Sequence, residues 1–401
     1  MMSGFTFKKS VFGFLDMLKF KQIVPLRRKT LASGSDEPFS GIYGVNRLAE
    51  QFHPKKQEFR IVDIREFPGA DAKSYLLQGD SAAPFRPGQY TAVDLAIGDS
   101  VLTRAYTIAS DPADAARGVY ELGVKRSQGG FASSWILDHW KIGDTVRCSG
   151  PEGFCCYEPL RDEAHVVGVA GGIGITLFLS MARSVASGKA GHSLTLFYGC
   201  RTAESILYRR ELDALGGAGG RLKVVYVLSD EERAGYEHGF VTAELVRKYV
   251  GDRKFSLFLC GPRAMCEHMQ REARKLGLDR KHVRVDSAPC TDSPTVFADY
   301  RGDANACYRL TVCGFDGERT IPALSSETVL TALDRAGIKA PAHCRGGECG
   351  FCRSKRLEGE CFVPAMFDRR RTADAPAGYI HPCCTYPLSD MKLLLWDESE
   401  G

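Results

Sequence analysis

Two hydrophobic rhythms divide the chain. From residue 56 to about 155, apolar and polar positions alternate in short runs such as EFRIVDIREF, YTAVDLAI, GVYELGVKR and DTVRCSG, separated by turn signals such as RPGQ and SDPAD. Period-two alternation marks half-buried strands, so this stretch predicts a small antiparallel barrel. From about residue 162 the alternation stops. HVVGVA, SLTLFYG, KVVYVLS, FSLFLCG and HVRVDS are continuous apolar runs, and helical patterns such as LFLSMARSVAS and AMCEHMQREARKLG lie between them. Five apolar strands alternating with helices predict a parallel sheet covered on both faces. After a linker the chain restarts with a strand (YRLTVCGF), a helix (SETVLTALDRAG) and a cysteine-rich loop. The expected units are a lead at 1–53, a barrel at 54–158, an α/β nucleotide domain at 159–290, a linker at 291–306 and a small α+β domain at 307–401.

The lead has its own pattern. Phe7, Val11, Phe14, Leu15 and Leu18 recur on one helical face, Lys8, Lys9 and Lys19 lie beside it, and Arg27, Arg28 and Lys29 follow. This predicts an amphipathic helix. Two readings stay open for residues 5–29: a helix packed on its own protein, or a docking element for a partner or an anionic membrane surface.

Composition narrows the class. Hydrophobic residues make up 44% and charged residues 25%, which is ordinary for a globular protein. A net charge of +4 and the lack of a basic stripe interleaved with aromatics argue against a nucleic-acid partner. No apolar run reaches the ~18 residues a membrane span takes. The 15 cysteines, with no secretory leader, point to a reducing cytoplasmic compartment, where clustered cysteines bind metal and the rest are free thiols.

Three of those cysteines carry the strongest signal. Cys344, Cys349 and Cys352 in CRGGECGFC have the spacing C-x4-C-x2-C, the plant-type [2Fe–2S] arrangement, which needs a fourth thiolate further on. A zinc site would favour paired C-x2-C knuckles. The glycines let the backbone wrap closely and aim N–H groups at sulfur. Position alone leaves Cys361, Cys383 and Cys384 open as the fourth ligand. A second signal is AGGIGIT at 170–176, a glycine-rich turn between an apolar strand and a helix, the context for cradling a pyrophosphate.

The motifs together resemble the ferredoxin–NADP⁺ reductase superfamily, specifically three-domain reductases ending in a plant-type ferredoxin domain, over residues 56–396. RAYTIAS resembles its R-x-Y-[ST]-x-x-S flavin motif. The resemblance implies that Arg104 neutralises a flavin phosphate, Tyr106 lies against the isoalloxazine and the Thr107 hydroxyl reaches the N5 edge, with Ser110 closing the motif. VKRSQGGFASSWI resembles the second flavin segment and nominates Lys125, Gly130 and Ser133; SGPEGF resembles the barrel's closing motif. AGGIGIT resembles the family's G-G-x-G-[IV]-[TA]-P, nominating Gly171, Gly172, Gly174 and Thr176, but Leu177 stands where proline is usual. FLCGPRAM resembles C-G-P-x-x-M, so Cys260, Gly261 and Pro262 flank a nicotinamide. Asp286 stands near where the family often carries a glutamate beside the flavin. GYIHPCCTYPLSD resembles the closing ferredoxin motif, whose ligand lies four residues before a proline; Pro387 thus selects Cys383, leaving Cys384 and Cys361 as packing residues.

Where NADP-specific members end the third strand in Ser-Arg, this chain has Ser229 followed by Asp230, Glu231 and Glu232. Carboxylates repel a 2′-phosphate and suit ribose hydroxyls, so the cofactor expected is NADH, with NADPH the alternative because Arg201 and Arg209 lie nearby. The flavin expected is FAD, with FMN the alternative. The resemblance implies an antiparallel β-barrel, an α/β parallel-sheet nucleotide domain and an α+β β-grasp ferredoxin domain. It also implies a reductase passing single electrons to a partner redox protein: an oxygenase, a monooxygenase or an anaerobic metalloenzyme. Thr107, Cys260 and Asp286 are the candidate catalytic residues.

Overall fold

The structure, a computed structural model, describes residues 11–34, 44–98, 100–127, 131–217, 220–286, 290, 293–314 and 317–395. The chain divides into two units, Met1–Ala49 and Glu50–Gly401. Helix α1 (Val11–Ala32) has Pro25 within it. From Leu18 onward, Leu18, Ile23, Leu26 and Leu31 are exposed, as are Lys19, Lys21, Arg27, Arg28 and Lys29. At ~100° per residue these two sets interleave round the helix, so no apolar face separates from a basic one. Phe7, Lys8 and Lys9 lie outside the described residues. The side chains of Val11, Phe14 and Leu15 lie outside the description as well, so the expected face is described only at Leu18; α2 (Gly44–Phe52) carries an apolar face of its own, with exposed Val45, Leu48 and Phe52 at i, i+3 and i+7. No helix among the described residues is long and apolar enough to cross a membrane.

Strands β1 (Gln57–Phe67), β2 (Ala72–Gln78), β3 (Tyr90–Ile97), β4 (Ser100–Thr107), β5 (Val119–Lys125) and β6 (Thr145–Cys148) pair antiparallel in the order β4-β3-β6-β1-β2-β5. A bridge between Ile108 and Leu122 joins the two ends of that order and closes the barrel. The alternation seen in sequence is what fills it: in β1, Phe59 and Ile61 are buried while Glu58, Arg60 and Val62 face water. Helix α3 (Phe131–His139) adds Ala132, Ile136 and Leu137 to the barrel core.

The next domain runs β7 (His165–Gly171), α4 (Ile175–Ala186), β8 (Ser193–Cys200), α5 (Arg209–Gly216), β9 (Leu222–Leu228), β10 (Glu237–His238), α6 (Ala243–Val250), β11 (Ser256–Cys260), α7 (Arg263–Lys275) and β12 (Val283–Val285). The sheet is parallel, in the order β10-β9-β8-β7-β11-β12. Every residue of β7 and β11 is buried, the reason these strands read as unbroken apolar runs. The sixth strand, β10, has only two polar residues and left no apolar trace. The order reverses between β7 and β11, and a crevice opens beyond the carboxyl ends of strands at such a point. Leu177, the departure from the glycine motif, is fully buried in α4 and contributes to the core.

The C-terminal domain contains β13 (Cys307–Gly314), β14 (Gly317–Leu324), α8 (Val329–Arg335), β15 (Ser354–Glu358), β16 (Cys361–Phe362), β17 (Tyr379–Ile380), β18 (Tyr386–Pro387) and β19 (Met391–Leu394). Its main sheet has the order β14-β13-β19-β15-β17, with β13 antiparallel to β14 and parallel to β19. Thr328 caps α8, which buries Val329, Leu330 and Leu333. One helix held against a mixed sheet is the expected β-grasp.

Candidate functional site

In the cysteine loop, Cys344 and Cys352 are buried and Cys349 is half-buried. The backbone N–H groups of Gly346 and Cys349 both donate to Cys344 Sγ at 3.4 Å. Cys383, on the short turn before β18, has its Sγ 3.4 Å from Cys352 Sγ. The Cys349 and Cys383 thiols, with those N–H groups, hold Cys344 well below the ordinary thiol range. Cys384 turns the other way and donates to the carbonyls of His381 (3.5 Å) and Phe367 (3.7 Å). Cys361 packs at the edge of the domain core. Gly347 has φ +78°, and a Cβ there would run into the Phe367 carbonyl and come within 3.0 Å of Cys384 Sγ. Among the described residues no group of three or more His, Cys, Asp and Glu surrounds a single ion site. A [2Fe–2S] cluster shares its four thiolates between two irons and needs no such point. The chemistry and convergence of these sulfurs fit the cluster.

Strand β4 carries Arg104, Tyr106 and Thr107. Tyr106 is half-buried against the barrel core, and burial pushes its phenol well above its usual range. The Ser110 hydroxyl is buried without a hydrogen-bond partner among the described residues, an orphan that a bound ligand would satisfy. Arg104 donates from Nη1 to the Thr103 carbonyl at 2.8 Å and lies 3.6 Å from Asp334 of α8. Lys125, at the end of β5, has its Nζ 3.8 Å from where a Cβ on Gly172 would stand, so the barrel motif and the glycine turn face each other. Ser133 Oγ accepts from the Ser127 N–H at 3.1 Å near the start of α3. Gly130 lies outside the described residues. The orphan hydroxyl in the motif, and Lys125 between the barrel and the glycine turn, fit a flavin.

The turn Gly171–Gly174 leaves the end of β7. Gly172 has φ +53°, and a Cβ on Gly174 would run into the Cys260 carbonyl, so this turn abuts the Cys260–Pro262 turn at the end of β11. Thr176 spends its hydroxyl on the turn itself, donating to the Ile173 carbonyl at 3.0 Å. Cys260 Sγ donates to Asp286 Oδ2 at 3.2 Å. Desolvation, with a smaller contribution from Glu348, raises Asp286 to about 6, against the opposing Cys260 hydrogen bond. The Cys260 thiol is pushed well up by burial and by Asp286. Away from this pair, Ser229 Oγ donates to Asp230 Oδ1 at 2.6 Å and Arg201 Nε to Asp230 Oδ2 at 2.7 Å. These hydrogen bonds hold the Asp230 carboxyl below its usual range.

A cavity of about 940 Å³ joins the three domains, its wall including Tyr90, Cys155, Gly261, Asp286 and Glu348. Tyr90 pairs with Thr107 across β3 and β4 and donates from its hydroxyl to Glu152 Oε2 at 3.4 Å. Glu152 Oε1 is 2.5 Å from His343 Nδ1, and His343 stacks on Phe351 at 3.7 Å between ring centres. Strand β4, which carries the flavin motif, itself meets the cysteine loop at Thr103, whose carbonyl accepts from Arg345 Nε at 2.7 Å. Sequence reasoning missed Tyr90, Glu152, Asp334 and Arg345 here. Glu152 and Arg345 sit inside recognised motifs, but nothing in their spacing says which domain they face.

Family models match in the order of the domains: an oxidoreductase FAD-binding domain over 65–157, an oxidoreductase NAD-binding domain over 169–271 and a 2Fe-2S iron-sulfur cluster binding domain over 311–388. The chain is 30% identical over 283 residues to phenoxybenzoate dioxygenase subunit beta of Ectopseudomonas oleovorans, covering 70% of this chain and 78% of that one. It is 26% identical over 346 residues to the glycine betaine monooxygenase reductase subunit of Chromohalobacter salexigens, covering 80% and 91%. The solved structure of phthalate dioxygenase reductase superposes with a TM-score of 0.62 at 22% identity, over 85% of this chain and 97% of that one, and shows the same fold.

Proposed function

The chain belongs to the ferredoxin–NADP⁺ reductase superfamily, as an NADH-dependent flavin and iron–sulfur oxidoreductase, and on that premise we propose that it is the reductase component of an oxygenase system. When bound, FAD, NADH and the [2Fe–2S] cluster would supply the redox chemistry, hydride transfer at the flavin and one-electron transfer through the cluster. The observation that carries the reading is the meeting of the β4 flavin motif with the four-cysteine loop, on one side of the cavity that Asp286 and Gly261 line on the other. The names of two relatives, a monooxygenase reductase subunit and a dioxygenase subunit, support an oxygenase as the acceptor.

The residue roles follow the same reading. Cys344, Cys349, Cys352 and Cys383 hold the cluster. Arg104, Tyr106, Thr107, Ser110, Lys125 and Ser133 hold the flavin. The Gly171–Gly174 turn, with Thr176 bracing it, cradles the dinucleotide pyrophosphate, and Cys260–Pro262 flank the nicotinamide. The Cys260–Asp286 pair keeps a neutral thiol and an acid with a raised pKa at the mouth of the crevice. Ser229 and Asp230 take the ribose hydroxyls, and Arg201 is held by Asp230 rather than left to grip a 2′-phosphate. Mixing the purified protein with NADH and a purified monooxygenase or dioxygenase component tests the acceptor. Substrate-dependent oxygen uptake that requires both proteins supports the reading; NADH consumption that bypasses every oxygenase and goes to a quinone or oxygen contradicts it.

A second reading concerns α1, whose exposed Lys19, Lys21, Arg27, Arg28 and Lys29 suit an acidic partner or an anionic membrane surface by charge rather than through an apolar face. Removing residues 1–34 then weakens sedimentation with anionic vesicles, or co-purification with the acceptor, and leaves NADH-driven cytochrome c reduction intact. Unchanged binding in both assays contradicts it.

A further inference from the structure

Arg345 follows the ligand Cys344 and has φ +54°, a conformation that costs an arginine and suits a glycine. Two other positions of this loop, Gly347 and Gly350, take positive φ with glycine. Arginine at 345 therefore serves through its side chain. That side chain is buried and crosses to the barrel: Nε donates to the Thr103 carbonyl at 2.7 Å and Nη2 lies 2.7 Å from Asp334 Oδ2. Asp334 also faces Arg104 at 3.6 Å, so one carboxylate of the ferredoxin helix stands between two guanidiniums, one beside the cluster and one on the flavin strand. The Thr103 hydroxyl donates to the Ala342 carbonyl, and the Cys290 N–H donates to the Arg345 carbonyl at 2.9 Å, so the strained residue is held from both sides.

We propose that Arg345 and Asp334 are positioning residues that clamp the cluster loop onto β4 and so set the flavin-to-cluster distance for electron transfer. The inference rests on the reading that the flavin reduces the cluster. Electron transfer slows steeply as donor and acceptor move apart, so a loop released from β4 reduces its cluster more slowly. The clamp acts on the second transfer, in which one electron leaves reduced flavin and one iron of the cluster goes from ferric to ferrous. It has no part in the hydride step.

Anaerobic stopped-flow mixing of Asp334→Ala, Arg345→Gly and the conservative Asp334→Glu proteins with NADH separates the steps. Flavin bleaching keeps its wild-type rate in all three. The rate constant of cluster reduction falls severalfold in the first two and is largely restored in Asp334→Glu. Asp334 lies in α8, outside the cysteine loop, so its variants keep the test open if Arg345→Gly loses its cluster. Hydrogen exchange gives a readout that does not depend on activity: residues 100–107 exchange faster in Asp334→Ala. A merely structural role lowers the fraction of protein carrying the cluster and leaves the rate constant of the loaded fraction unchanged. Wild-type rate constants and exchange in Asp334→Ala overturn the proposal. A wild-type cluster that NADH does not reduce contradicts the functional reading instead.

Discussion

The barrel meets its two neighbours in opposite ways. Against the nucleotide domain the contact is an extension of the core. Ala70, Ala72 and Ala109 belong to one buried cluster with Val166, Phe178 and Leu207, and a Cβ on Gly123 would lie 2.6 Å from Thr176 Cγ2. Through it runs an ion network: Arg183 of α4 bonds Glu121 of β5 at 2.7 Å, Glu211 of α5 at 2.6 Å and the Ala109 carbonyl at 2.8 Å, while Ser74 donates to Glu121. Against the ferredoxin domain the buried clusters stop at the border, and the contact is polar: Asp334 between two arginines, and Glu152 between Tyr90 and His343. A continuous apolar core fixes the first joint over its whole area, whereas the second is fixed at a few polar points. The hydride-transferring pair needs the first. The Arg345–Asp334 clamp gives the second its geometry.

The largest break is Arg183→Ala, which leaves the buried Glu121 carboxylate without its cation, while Glu211 keeps Arg65 at 3.2 Å. It destabilises the barrel and nucleotide domain by about 3–5 kcal/mol, read as a fall in their melting temperature with loss of flavin. Protonation of buried histidines comes next. His165 and His192 are held neutral, mainly by burial and secondarily by Arg253 and Arg221 respectively, each lowered to about 4. The unfolded chain, with a histidine pKa of ~6.5, binds more protons between pH 4 and 6.5, so stability is full above that range and is lost as pH falls through it. The loss is up to ~3 kcal/mol for each histidine, and His192→Phe flattens the melting curve against pH between 4 and 7. The smallest effect is at the nucleotide edge. The Arg201–Asp230 pair is exposed, 83% and 42%, so Asp230→Asn changes stability by under ~1 kcal/mol. The same change raises kcat/KM with NADPH about tenfold relative to NADH, measured by steady-state kinetics with each.

The elements that bury both faces were the most legible. HVVGVA and FSLFLCG could only be central strands, and the cysteine spacing named its chemistry before any geometry. Which of the adjacent Cys383 and Cys384 faces the loop was open from position, because the direction of each side chain depends on a short turn; Cys384 is drawn away by the Phe367 and His381 carbonyls. Arg345 gave no sign of its role, since a side chain that crosses a domain border leaves no periodicity in its own strand or helix. In α1, the face spacing that ends at Leu18 does not continue through Pro25 and the basic run after it. Strand β10 has no apolar residue to announce it.

Anaerobic titration with NADH, following flavin absorbance and the paramagnetic signal of the reduced cluster in the same sample, tests the central claim most directly. The predicted result is that the flavin bleaches and the cluster signal grows as more than one equivalent of NADH is added, and that Cys344→Ser abolishes the signal and the iron while the flavin still bleaches. A cluster that stays oxidised beside a fully reduced flavin, or a Cys344→Ser protein that retains its iron and reduces cytochrome c as before, contradicts it.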